Sequence, residues 1–292
     1  MSPRFGHRGR TLRAIPILSS IAGVAALCYI AACMYLWHAQ RQLIFIPDAR
    51  VDVTPAAVGL EFVQIAIPLG EGSVLSAWWL PSADTESAVV LYLHGNDGNL
   101  ARELHRLQVL HSFRLPILAI DYRGYGRSSG PFPSEAQVYE DAVSAWTFLV
   151  QVQRIEPRRI IIYGHSLGAA IAVELGLRRG PACAVVLDSA FTSMTDMARR
   201  EYRWIPVNLF LDQHFDVLLK IGWLEAPIVL VHGRADREVP FEMSERLYAA
   251  AQPPKRLLLI EGGGHEDAME KAVEPLQRAI GELVHGRAAR CQ

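Results

Sequence analysis

A serine with a glycine two residues to either side, in Gly164-His165-Ser166-Leu167-Gly168, has the spacing of a nucleophile set on a sharp strand-to-helix turn. At such a turn the backbone is strained and crowded, so the flanking positions must lack side chains, and the serine oxygen is held out over the sheet edge. The neighbouring residues agree: Arg159 to Tyr163 (R-I-I-I-Y) reads as an apolar strand and Ala169 to Leu177 as a small-residue helix. The same pattern occurs a second time, in Gly126-Arg127-Ser128-Ser129-Gly130, but Pro131 and Pro133 follow it. Two prolines keep a helix from starting at that serine, and the stretch reads as loop. Context selects Ser166.

A serine hydroxyl is a poor nucleophile until a base takes its proton and a carboxylate orients the base. With a serine on such an elbow the chain order is serine, acid, histidine. Four of the ten histidines lie well after Ser166, namely His214, His232, His265 and His285. His214 falls between strands, His232 closes a buried strand and His285 ends a polar helix. His265 follows the strand Arg256 to Ile260 through Glu261-Gly262-Gly263-Gly264, a turn flexible enough to bring an imidazole over the sheet edge. For the acid, Asp236 stands four residues past the strand Ile228 to His232. Asp188 competes, because it closes the preceding strand, but Ser189-Ala190-Phe191 after it reads as the start of a cap, and Asp236 is favoured. Glu238 and Asp267 read as solvated charges. Donors for a developing oxyanion are typically worth about 3–4 kcal/mol each. One is the Leu167 amide, at a helix start whose dipole also favours an anion. The other is expected in His94-Gly95-Asn96-Asp97-Gly98-Asn99, at the Asn96 amide, with Asp97 bringing a negative charge near the site and His94 serving as scaffold.

The elements that must position these groups alternate along the chain. Leu60 to Ile67 and Ser73 to Leu80 are β-like and joined by a hairpin turn at Leu69-Gly70-Glu71-Gly72. Ala88 to His94 is a continuous apolar run, as a strand buried on both faces requires. A helix (Leu100 to Ser112), a strand (Pro116 to Asp121) and a helix (Ser134 to Val152) follow, the last opened by Ser134-Glu135-Ala136-Gln137 as a capping box. With Cys183 to Leu187 there are eight strands. The alternation implies a mostly parallel α/β sheet with helices on both faces, an antiparallel hairpin at its start, and active residues at the carboxyl ends of the strands.

With 292 residues, 51% of them hydrophobic, the chain can bury one large core. A formal charge of −1 leaves no electrostatic footprint for nucleic acid. No phosphate-cradling glycine loop or zinc-like spacing is present, so neither cofactor nor metal is expected. Cys28, Cys33, Cys183 and Cys291 are too scattered to frame disulfides. Ile15 to Trp37 carries no formal charge over 23 residues, enough for a helix to cross a hydrocarbon layer of about 30 Å. Arg4, Arg8, Arg10 and Arg13 precede it, and only Arg41 and Arg50 follow closely. That bias puts the N-terminus in the cytoplasm and the catalytic domain across the membrane. An uncleaved signal anchor is favoured, since the run exceeds a signal-peptide core. Ile30-Ala31-Ala32-Cys33 also fits a bacterial lipobox, which would make Cys33 a lipidated N-terminus, although apolar residues follow it; a buried helix of a soluble core is the third reading.

The runs L-H-G-N-D-G-N, D-Y-R-G-Y-G-R-S, Y-G-H-S-L-G-A-A, F-T-S-M-T-D-M-A, H-G-R-A-D-R-E-V-P and G-G-G-H-E-D, in this order, resemble the membrane-anchored serine hydrolases of the α/β-hydrolase fold. Those include depalmitoylases and monoacylglycerol or lysophospholipid lipases, and similar sequences are filed as serine-aminopeptidase-like. The resemblance spans about Gln40 to Ala279. It implies Ser166 as nucleophile, Asp236 as acid, His265 as base, and Asn96 with Leu167 as oxyanion donors. Ala169 departs from it where a third glycine is common. The expected organisation is a basic tail (1–14), a transmembrane signal anchor (15–37), a linker (38–59, bridging first through Gln40 to Pro47), a catalytic domain (60–285, with a short cap at about 190–224) and a tail (286–292). Tyr202, Trp204, Ile205, Pro206, Phe210, Leu211 and Phe215 in the cap suit either a lid over an acyl chain or plain packing of a cap helix. The expected activity is cleavage of small or lipid-like acyl esters or thioesters; a peptidase with the same machinery and a non-catalytic binding domain are the rivals.

Overall fold

The structure, a computed structural model, describes residues 14–84 and 87–288. The basic tail up to Arg13 and the end of the expected C-terminal tail, with Cys291, lie outside the described residues.

Eight strands form one twisted sheet: β1 (Val63–Pro68), β2 (Val74–Leu80), β3 (Val89–Leu93), β4 (Ile117–Ile120), β5 (Ile160–His165), β6 (Ala184–Asp188), β7 (Ile228–Gly233) and β8 (Lys255–Ile260). Their order across the sheet is β1-β2-β4-β3-β5-β6-β7-β8. β2 runs antiparallel to both β1 and β4, and every other neighbouring pair is parallel. The hairpin at the start and the parallel remainder therefore match the alternation in the sequence. β3 to β7 are buried at every position, which is why they read as unbroken apolar runs.

Successive strand residues serve opposite faces. Leu91, Ile162, Leu187 and Leu230 pack on one side against α3 (Glu135–Thr147), α4 (Leu167–Arg179) and α7 (Phe241–Ala250). Tyr92, Tyr163, Val186 and Val229 pack on the other against α2 (Leu104–Ser112) and α8 (Val273–Ala288). β3 lies between β4 and β5, the point where the strand order reverses and a crevice opens at the carboxyl ends.

Several local expectations are corrected. The expected linker begins as helix: α1 runs unbroken from Ala14 to Ile44, and Phe45 after it is buried against Phe215. The chain from Gln40 is held to helical geometry because Gln40 and Ile44 are drawn under the cap and into the core. Ser134 forms no capping box; its hydroxyl donates to Gln137 Oε1 at 3.0 Å, while the Glu135 amide donates to Gln213 Oε1 at 2.7 Å. The serine hydroxyl is thus spent on the Gln137 side chain rather than accepting from the Gln137 amide, and a side chain from the cap segment satisfies the first helical amide, which a capping box leaves free. The helix expected from Ser134 to Val152 turns π-helical after Thr147, and the one expected from Leu100 begins as a 3-10 turn capped by Asn99.

Between β6 and β7 the chain forms the expected cap, with α5 (Met194–Glu201) and α6 (Val217–Lys220) joined by irregular segments. Among α1 side chains, Cys33 is buried against Ile205 and Val207 of this cap, whereas every residue from Ser19 to Ala31 is exposed. Ser19–Ile44 is long and apolar enough to cross a membrane by length and composition.

Candidate active site

Ser166 occupies the turn from β5 into α4 with φ 52° and ψ −115°, a left-handed conformation that costs a non-glycine residue on the order of 1–3 kcal/mol. The flanking glycines are required by contact. A Cβ on Gly164 would stand 2.1 Å from the Gly168 carbonyl oxygen, and one on Gly168 would stand 2.1 Å from that of Leu93. The elbow is thus wedged against β3, and the Ser166 amide is fixed by the Asp188 carbonyl at 2.8 Å.

Two further strand ends deliver the partners. The loops after β7 and β8 are stitched together by Ala235 N–H donating to the Gly263 carbonyl at 2.8 Å and Arg234 N–H to that of Ile260 at 2.9 Å. A Cβ on Gly233 would meet Gly263 O at 2.2 Å, so the glycine-rich turn before His265 is there to let the two backbones cross. This crossing sets His265 Nδ1 at 2.7 Å from Asp236 Oδ2 and His265 Nε2 at 3.1 Å from Ser166 Oγ. An ionised carboxylate only accepts, so the imidazole proton sits on Nδ1 and Nε2 faces the serine hydroxyl as acceptor.

The electrostatics follow from the contacts. Asp236 Oδ1 accepts from the Glu238 and Val239 amides at 2.9 and 2.8 Å, and Oδ2 also receives His232 Nε2 at 3.2 Å. Burial raises the Asp236 pKa, but hydrogen bonds from His232 and His265 outweigh it and hold the carboxyl well below its usual range. For His265, burial lowers the pKa, and the hydrogen bond and charge of Asp236 reverse this and leave it above the ordinary imidazole value. His232 itself accepts from the Ser244 hydroxyl at 2.6 Å and donates to Val239 O at 2.9 Å, which clamps the Asp236 loop. Sequence reasoning treated His232 as the end of a strand; its spacing of four from Asp236 was the available signal.

Arg106 of α2 was missed altogether. Its guanidinium is nearly buried and donates to His165 Nε2 at 3.0 Å, to the carbonyls of His265 and Glu266 at 3.3 and 2.8 Å, and to the carboxylates of Glu103 and Glu266 at 3.2 and 2.9 Å. Asp188 joins the same cluster, 3.6 Å from Arg106 Nε and accepting from Tyr163 Oη at 2.8 Å. The rival acid therefore belongs to a buried ionic network behind the histidine loop, whereas Asp236 is the carboxylate hydrogen-bonded to the imidazole. Ligand atoms of His165, His265 and Glu266 approach within 4.8 Å of one another, close enough for a metal. The Arg106 guanidinium bonds two of the three and already supplies the positive charge there.

Leu167 is the first residue of α4, so its amide has no acceptor within the helix. Asn96 lines the same cavity as Ser166 and is held by its own side-chain amide donating to Ile44 O at 2.8 Å and by its carbonyl accepting from Tyr125 Oη at 2.7 Å. Asp97 is paired with Arg102, so its charge is compensated rather than left facing the site. His94 is fully buried beside Tyr122 and Tyr125, and burial lowers its pKa to about 4, so it stays neutral scaffold. Ser128, of the second glycine-serine match, donates to Asp121 O at 2.6 Å and accepts from Ser76 N–H at 2.8 Å; it staples two strands and reaches no histidine. Over Ser166 lies a cavity of about 530 Å³, walled by the cap and by α1.

The uncharacterized protein Rv2307c of Mycobacterium tuberculosis is 36% identical to this chain over 256 residues, covering 87% of this chain and 89% of its own length. The uncharacterized protein YfhR of Escherichia coli K12 is 31% identical over 266 residues, covering 87% and 91%. Lysophosphatidylserine lipase ABHD12 of Danio rerio is 34% identical over 200 residues, 62% of this chain and 51% of that protein. Among solved structures, the esterase Pf2001 of Pyrococcus furiosus superposes with a TM-score of 0.67 at 22% identity, over 82% of this chain and 98% of the esterase. A family model described as "Alpha/beta hydrolase family" matches residues 90–277, a span that holds the serine elbow and the loops of Asp236 and His265, and the chain belongs to that family.

Proposed function

We propose that the chain is a membrane-anchored serine hydrolase that cleaves carboxylic ester or thioester bonds of lipid-like acyl substrates through an acyl-enzyme. The observation that carries this is the hydrogen-bonded line Ser166–His265–Asp236 at the floor of an apolar cavity. In the first step the Ser166 hydroxyl gives its proton to His265 Nε2 as its oxygen bonds to the substrate carbonyl carbon. The carbonyl oxygen takes the negative charge, facing the Leu167 and Asn96 amides. As the tetrahedral species collapses, His265 returns the proton to the departing alcohol or thiol, leaving the acyl group on Ser166. A water then gives a proton to His265 and attacks the acyl carbon; collapse restores the serine hydroxyl and releases a carboxylic acid. Asp236 holds the Nδ1 proton throughout and stabilises the imidazolium.

α1 supports the anchor reading over a lipidated Cys33, because the helix passes through Cys33 without a break and that residue is packed under the cap. With the arginine bias, the catalytic domain then lies on the extracytoplasmic side. Treatment of the detergent-solubilised protein with a fluorophosphonate tests the chemistry. Labelling is expected to vanish in Ser166→Ala and persist in Ser128→Ala; equal labelling of the two variants sinks the assignment. Turnover of p-nitrophenyl esters is expected to exceed that of aminoacyl anilides, and the reverse order favours the peptidase.

A further inference from the structure

The cavity over Ser166 has an unusual wall. Cys33, Leu36, Gln40 and Ile44, on one face of α1, line it together with cap residues such as Ile205 and Val207, so the same helix that is long enough to cross a membrane also bounds the space in which the serine works. We propose that this wall is a lateral route for substrate: one acyl chain of a bilayer lipid lies along α1, still reaching down into the membrane, while its ester carbonyl stands at Ser166. The proposal rests on the hydrolase reading above and adds where the substrate comes from and what grips its chain.

The depth of the cavity in the membrane follows from helix geometry. Twenty residues from Ala14 to Cys33 rise about 30 Å, the thickness of a hydrocarbon core, and Arg13 stands just before them in the sequence. A helix crossing from its start therefore leaves the core near Cys33. Tyr29, Tyr35 and Trp37 of α1 and Trp204 of the cap are exposed around that level, and Tyr29 Oη donates to the Trp204 carbonyl at 2.9 Å. Exposed tyrosine and tryptophan at this height form the belt that membrane proteins place at the headgroup boundary. Below it, Ile21, Val24 and Leu27 are exposed, as lipid-facing residues are.

From the belt the cavity leads to the catalytic groups. Its α1 wall begins at Cys33, and the other end, Ile44, is bonded through its carbonyl to Asn96 beside Ser166. Eleven helical steps between them span about 16 Å, the reach of a long acyl chain. Gln40 ties this wall to the cap, accepting from Asp212 N–H at 2.9 Å and donating to Phe210 O at 3.4 Å. Arg200, Glu201, Arg237 and Glu238, the exposed charged residues of the lining, leave a polar space for the headgroup. A lipid thus rises headgroup first and exposes its ester to Ser166 while its tail stays on apolar surface throughout, so the hydrophobic cost of full extraction into water is avoided.

The test uses the full-length protein in phosphatidylcholine vesicles and a long-chain alkyl fluorophosphonate bearing a diazirine at the tail end. After reaction and irradiation, peptide mapping is expected to find the phosphonate on Ser166 and the photo-adduct on the 30–37 segment of α1 or the 204–210 segment of the cap. Labelling is expected when probe and protein share a vesicle, and to be at least tenfold slower when the probe is confined to separate vesicles. Phosphonate on Ser166 with the photo-adduct elsewhere, or equal rates from separate vesicles, overturns the lateral route and leaves the hydrolase reading standing. An unlabelled Ser166 overturns both. As a second measurement, Leu36→Trp is expected to lower the ratio of long-chain to short-chain ester turnover at least tenfold, while Leu27→Trp, on the lipid-facing surface, keeps the wild-type ratio. Equal ratios in the two variants overturn the assignment of α1 as the chain's wall.

Discussion

Replacing Asp236 by asparagine removes one charge and turns one acceptor into a donor with little change of shape. The amide oxygen can still accept from the Glu238 and Val239 amides, as Asp236 Oδ1 does at 2.9 and 2.8 Å, and His232 Nε2, which loses Oδ2 as an acceptor, keeps the Val239 carbonyl at 2.9 Å, so the loop retains most of its hydrogen bonds. The other terminus becomes an NH₂ donor facing His265 Nδ1, which at 2.7 Å forces the imidazole to carry its proton on Nε2 instead. Nε2 then presents a proton to Ser166 Oγ and can no longer take one. Loss of the correct tautomer and of the charge that stabilises the imidazolium lowers kcat by about 10⁴-fold, ~5.4 kcal/mol at 1.36 kcal/mol per decade. The pH profile has a definite sign. Since only neutral His265 is a base, kcat/KM of the wild type rises with pH through a pKa raised above the imidazole value. In Asp236→Asn the raising influence is gone and burial remains, so the residual activity rises at lower pH than in the wild type. The assay is hydrolysis of a soluble p-nitrophenyl ester by purified protein at a series of pH values, with Ser166→Ala as background. Activity within tenfold of wild type, an unmoved inflection, or a larger loss in Asp188→Asn would refute the role given to Asp236.

Gly168→Ala sets a methyl group 2.1 Å from the Leu93 carbonyl oxygen, a Cβ fixed to its own backbone against backbone of β3, so neither side can yield cheaply. A destabilisation of about 1–3 kcal/mol or more is expected, read as a fall of several degrees in Tm, and an unchanged Tm with full activity would show that the elbow is looser than its contacts imply. Arg106→Met leaves Glu103 and Asp188 buried without their cation, a loss of about 3–5 kcal/mol in urea unfolding. Those carboxylates can shed the penalty by protonating, so the deficit should shrink as pH falls; a deficit that grows at acid pH would contradict the ionic account.

The elbow was legible because its constraint is local: only glycine fits at 164 and 168, and a strand on one side with a helix on the other shows in the composition of a dozen residues. Asp236 and His265 were reachable because strand ends gather at one sheet edge and the chain order is fixed by topology. Arg106 gave no such signal. A lone arginine among the leucines of α2 looks solvated until the β8 loop, some 160 residues on, brings carbonyls and a carboxylate to it. The capping box at Ser134 failed because its hydroxyl donates to the Gln137 side chain instead of accepting from the Gln137 amide, and the first helical amide, at Glu135, is satisfied by Gln213 from the distant cap.

The sequence by itself determined the mostly parallel sheet, the glycine-flanked serine turn and an apolar N-terminal segment of membrane-crossing length, because each rests on periodicity, sterics or hydropathy within a short stretch. Only the tertiary structure decided that His232 and Arg106 brace the loops of Asp236 and His265, that Asp188 belongs to an ionic network, and that α1 extends to Ile44 to form a wall over Ser166. Apart from His232, whose partners lie within twelve residues of it, those are contacts between segments far apart in the chain, where the partner supplies the missing charge, donor or apolar surface, and no window of sequence contains both sides.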